Sequence, residues 1–82
     1  MENVKRRTDV IELKKAMIEK GFKTNTSLAD ASGINRNTIG LVLNGDLQPS
    51  YDVMVKLIAT LELTELDAGR IFFAPNLQNM QV

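Results

Sequence analysis

Apolar residues recur at helical spacing along most of the chain. Val10, Leu13, Ala16 and Met17 form a first stripe, which predicts a helix over 8–20 with Thr8 or Asp9 as its cap. Lys14, Lys15 and Lys20 lie off that stripe, Gly21 ends the helix, and Phe22 is expected to return to the core. A second, short helix is predicted over 25–32, capped by Thr24, with Leu28 and Ala29 facing inward. Gly33 makes a turn, Ile34 plugs the corner, and Asn35 caps a third helix over 36–43 whose inward residues are Ile39, Val42 and Leu43. Asn44-Gly45 ends it. The same dipeptide is a hairpin signal, but its flanks do not alternate as strands would. Residues 46–50 form a loop containing Pro49, and Ser50 caps a fourth helix over 51–61. Val53, Met54, Leu57, Ile58 and Leu61 make its stripe, the clearest in the chain. Thr64 with Asp67 has a capping-box pattern and opens a fifth helix over 65–73, which Gly69 weakens by about 1 kcal/mol relative to Ala. Strands remain open only in the last ten residues.

The expected fold is all-α, a compact bundle of five helices. Residues 1–7 read as a mobile basic arm, 8–73 as the domain, and 74–82 as a short C-terminal tail. The organising stretch is 24–45, where a small residue, a turn glycine and sealing apolar residues fall at fixed intervals. Ala29 lets a second helix approach, Gly33 tolerates positive φ, and Leu28, Ile34, Ile39 and Val42 seal the angle from inside. That spacing is a helix-turn-helix.

Composition narrows the chemistry. The chain of 82 residues has neither cysteine nor histidine, so thiol catalysis, disulfides and the commonest metal ligand are excluded. No enzymatic activity, cofactor, metal or small-molecule ligand is expected. No apolar run approaches the ~20 residues of a membrane span, and the basic residues Lys5, Arg6 and Arg7 are not followed by an uninterrupted apolar stretch. A soluble cytoplasmic protein is the expectation. The formal net charge is zero but unevenly placed: residues 1–23 carry +3, residues 24–49 carry −1 and residues 50–82 carry −2.

The residues Leu28-Ala29, Gly33 to Ile39, Asn44-Gly45 and Pro49-Ser50 resemble the lambda repressor/Cro family of single-domain regulators, with its xenobiotic-response-element relatives. The likeness runs from about Ile11 to Leu66. It implies a lambda-repressor-like five-helix fold whose third helix enters the DNA major groove, and a Cro-type phage or prophage repressor acting on a double-stranded operator. On that reading Arg36 is suited to guanine O6 and N7, and Asn37 to adenine N6 and N7. Thr38 is a further base contact, Gly40 permits close backbone approach, and Leu41 can pack on thymine methyls. The resemblance places Asn25 and Asn44 on phosphates, with Lys23, Thr26 and Asn35 as neighbouring phosphate contacts. Only one cation, Arg36, lies between Thr24 and Gly45, so residues 1–23 are expected to supply much of the electrostatic attraction.

One recognition helix reads few base pairs, so a homodimer on a pseudo-palindrome is expected, with Phe72, Phe73, Leu77 and Met80 as candidate dimer contacts. The competing reading is a protein-interaction module, an antitoxin-like partner binder, on the same scaffold.

Overall fold

The computed structural model describes residues 6–75. Five helices follow in order: α1 (Val10–Glu19), α2 (Asn25–Ser32), α3 (Arg36–Leu43), α4 (Tyr51–Leu61) and α5 (Glu65–Phe72). The all-α expectation therefore holds. One addition is a two-residue antiparallel pairing of β1 (Arg6–Arg7) with β2 (Ala74–Pro75), in which Arg6 faces Pro75 and Arg7 faces Ala74. Arg6 and Arg7 are thus held in a pairing where a mobile arm was expected over 1–7. Residues 1–5, and residues 76–82 of the expected tail, lie outside the described residues.

Helix starts follow from side chains that take up the backbone N–H groups a helix leaves unpaired at its first turn. Asp9, Thr24, Asn35, Ser50 and Thr64 each accept from the backbone two or three residues on. α1 begins at Val10, later than expected, because Asp9 is its cap and Thr8 is engaged elsewhere. The Thr8 backbone N–H and hydroxyl both donate to Gln48 Oε1, at 3.1 and 3.2 Å, which satisfies an otherwise buried polar residue. The next N–H, of Asp9, donates to the Ile71 carbonyl at 2.6 Å. Residues 6–9 are therefore bonded in turn to β2, to the loop between α3 and α4, and to the end of α5.

Leu13 and Met17 of α1, Leu28 and Ala29 of α2, and Ile39, Val42 and Leu43 of α3 meet Leu57 and Leu61 of α4 in one core. Ile34, at the turn, and Ala68, Ile71 and Phe72 of α5 complete it, with Phe22 packed at its edge as expected. The apolar stripe of α4 is only partly sealed, since Val53, Met54 and Ile58 are half-buried. Phe72 departs from its expected role. It is 3% exposed, so it closes this core and is not available to a second copy.

The α2–α3 corner turns on Gly33, which has φ 77° and whose N–H donates to the Ala29 carbonyl at 2.8 Å. Ser32 Oγ accepts from the Ile34 N–H at 3.2 Å, so the turn keeps its backbone donors paired. The end of α4 uses the same left-handed conformation at Glu62, φ 54°, which is the one non-glycine residue with positive φ among the described residues. Its carboxylate accepts from Lys20 Nζ at 2.9 Å, and that bond holds the carboxyl below the usual carboxylate range.

Two glycines should respond oppositely to alanine. A Cβ at Gly33 would meet no atom within 4 Å, so the whole cost of Gly33→Ala is conformational, about 1–2 kcal/mol. Gly69 lies inside α5 with equally open surroundings and no positive φ, so Gly69→Ala should stabilise the domain by about 0.5–1 kcal/mol. Thermal denaturation of both variants, followed by far-ultraviolet circular dichroism, checks the opposite signs.

Candidate nucleic-acid interface

The cap at Thr24 positions the start of α2. Its hydroxyl accepts from the Ser27 N–H at 3.0 Å, and Ser27 Oγ lies 3.4 Å from the Thr24 N–H, a capping box with serine in place of the usual longer side chain. Asn25, the first helical residue, is thereby fixed and exposed. At the start of α3, Asn35 Oδ1 accepts from the Asn37 N–H at 2.7 Å. That bond defines where the helix begins and so where Arg36 and Asn37 project.

Asn25, Arg36, Asn37, Gly40, Leu41 and Asn44 line one shallow, open groove of about 490 Å³. Their chain positions span twenty residues, and the bend at Gly33 brings them together. Gly40 contributes by lacking a side chain: a Cβ there would already sit 3.8 Å from Asn25 Nδ2. Any longer side chain would reach into the space between Asn25 and the recognition face. Leu41 is 44% exposed in a position where an apolar side chain gains nothing from the protein's own core. Asn44 caps the C-terminal end of α3, and its side chain is left on the groove wall.

The groove gathers four of the five expected base-contacting residues and two of the expected phosphate-contacting ones. Thr38 is half-buried and does not line it. Lys23 and Thr26 are exposed beside the start of α2, outside the lining, as is Asn35, whose Oδ1 is already engaged as a cap.

Charge is distributed differently from expectation. Lys15 pairs with Glu12 at 3.4 Å and Lys20 with Glu62 at 2.9 Å, and neither lines the groove. These exposed pairs add little stability, but each places an acid beside a cation and weakens its far field. The view that residues 1–23 supply the attraction is therefore corrected for these two lysines. Arg36 and Lys23 carry no ion pair among the described residues. The N-terminal ends of α2 and α3 also border the groove, and their unpaired N–H groups give it further positive character.

Gln48 was not anticipated. Its amide ties the loop after α3 to Thr8, forty positions away in the chain, and no local periodicity marks such a contact. Glu62 was likewise unmarked, because an acidic residue is not the usual signal for a left-handed helix end. Among the described residues no group of His, Cys, Asp and Glu side chains could hold a metal ion, and no helix is long and apolar enough to cross a membrane.

Two helices set at a glycine corner, with polar side chains converging at the start of the second, define the helix-turn-helix class. A family model described as helix-turn-helix matches residues 13–67. The chain belongs to that Cro/C1-type helix-turn-helix family, a family of DNA-binding transcription regulators. No curated protein and no solved structure matches the chain.

Proposed function

We propose that this protein is a Cro-like repressor that binds double-stranded DNA sequence-specifically, with α3 in the major groove and two copies on a pseudo-palindromic operator. The observation that carries the reading is the convergence of Arg36, Asn37, Leu41, Asn25 and Asn44 on one groove across the α2–α3 corner. Arg36 and Asn37 are the bidentate donors and acceptors that distinguish guanine and adenine from the major-groove side. Leu41, one turn on, supplies an apolar surface for a thymine methyl. Asn25 and Asn44, at opposite ends of the groove, hold backbone phosphates and set the register in which α3 reads. Lys23 and Thr26 extend the phosphate contacts beyond the groove.

The interaction-module reading draws support from Ile11 and Ile18, which are 69% and 56% exposed on the outer face of α1. That face is remote in composition from the groove and does not compete with it, so partner binding there would leave α3 free.

In vitro selection of duplex DNA from a random pool tests the main reading. Arg36→Ala should lose about 1–3 kcal/mol on the selected site and relax preference at one base position. Lys23→Ala should weaken selected and unrelated duplexes alike and reduce the salt slope by about 1. A fluorescence anisotropy titration in which Arg36→Ala matches the parent on its best site would overturn the recognition-helix assignment.

A further inference from the structure

The outer face of α4 carries an apolar row without an apparent role in the domain. Tyr51, Val55 and Ala59 recur one turn apart, all exposed, and Leu47 extends the row into the preceding loop. Tyr51 is 78% exposed, which leaves its ring outside the core. Along one side of this row runs the pair Asp52 and Lys56, joined at 3.1 Å one helical turn apart.

We infer that this face is where a second copy of the chain docks, with the two α4 helices packed antiparallel about a twofold axis. Rotation about such an axis lays Tyr51 of each copy against Val55 of the other. It also brings Asp52 toward Lys56 of the second copy, twice, so the charges flanking the apolar row are self-complementary. The other exposed apolar face fails this criterion. On α1, Lys14 and Lys15 lie between Ile11 and Ile18, and an antiparallel copy would set lysine against lysine. Phe72, buried in the core, is excluded as well.

The position of the row is the second argument, and it rests on the DNA-binding reading above. Leu47 follows Asn44, the end of the groove, by three residues, a span of at most about 10 Å even when extended. A twofold axis through Leu47 and Tyr51 therefore passes close to the C-terminal end of both recognition helices. Their N-terminal ends then point outward on one side, the arrangement that reads half-sites about 34 Å apart.

Sedimentation equilibrium on the full chain, free and with its selected duplex, tests the inference. The parent should form a dimer in at least one of the two conditions, and Val55→Glu, with unchanged helical circular dichroism, should remain a single copy in both. Asp52→Lys and Lys56→Asp should each weaken self-association by roughly tenfold or more, because each sets like charges across the axis. An equimolar mixture of the two should restore it, since all four cross-axis pairs become opposite in sign. A parent that stays monomeric in both conditions, a Val55→Glu variant that dimerises as the parent does, or a mixture no better than either variant would overturn it. Failure of the DNA reading looks different: no duplex is selected, while the free-protein measurements still decide the docking face.

Discussion

Everything at the candidate interface depends on the angle between α2 and α3, and that angle rests on a few backbone donors. Gly33 adopts the left-handed conformation, its N–H returns to Ala29, and the next N–H is taken by Ser32 Oγ. Asn35 then receives the first free donor of α3. Within three residues the chain has ended one helix, turned and begun another with its backbone groups paired. The apolar residues on the inside of the bend, Leu28, Ile34, Ile39 and Val42, are all buried and hold that direction. Asn25 can face Gly40 across the groove only because these two constraints agree.

The distribution of charge gives the proposed interface a particular character. The protein is formally neutral, and four of its described cations, Lys15, Lys20, Lys56 and Arg70, lie within ion-pair distance of acids. Few phosphates can then be neutralised by each copy, so nonspecific affinity would be low and its dependence on salt shallow for a DNA-binding protein. Discrimination must come mainly from hydrogen bonds and apolar contact at base edges, where charge is not required. Such a regulator would gain its affinity from pairing copies more than from polyelectrolyte attraction, and it would spend less time on unrelated DNA.

Local physics was legible in the sequence and long-range physics was not. The bounds of α2, α3 and α4 follow from Thr24, Asn35 and Ser50 before apolar-periodic runs, and from Gly33 and Asn44-Gly45 after them. The groove residues were legible because they sit at the start and one turn into α3, at spacings fixed by the helix itself. Thr38 was misjudged because its position on the helix surface depends on how α3 is rotated against the core. The pairing of β1 with β2 and the Thr8–Gln48 bonds join positions far apart in sequence, and no short-range pattern encodes them. Phe72 illustrates the same limit, since an apolar residue near a chain end fits a core or an interface equally well until its neighbours are known.

That stitching of residues 6–9 has a bearing on how the domain assembles. The helical corner is made of contacts between near neighbours in sequence, which close quickly and at little entropic cost. The β1–β2 pairing instead closes a loop of nearly the whole described chain, and the Thr8–Gln48 bonds close one of forty residues. These contacts cannot form until α1, α3 and α5 are already in place, so they belong to the last stage of folding and the first stage of opening. Hydrogen exchange would then divide the molecule into a slow helical kernel and a fast outer clasp. The clasp ends on Gln48, in the loop that follows the recognition helix, so its breathing would be felt at the far end of the groove before the corner itself moved.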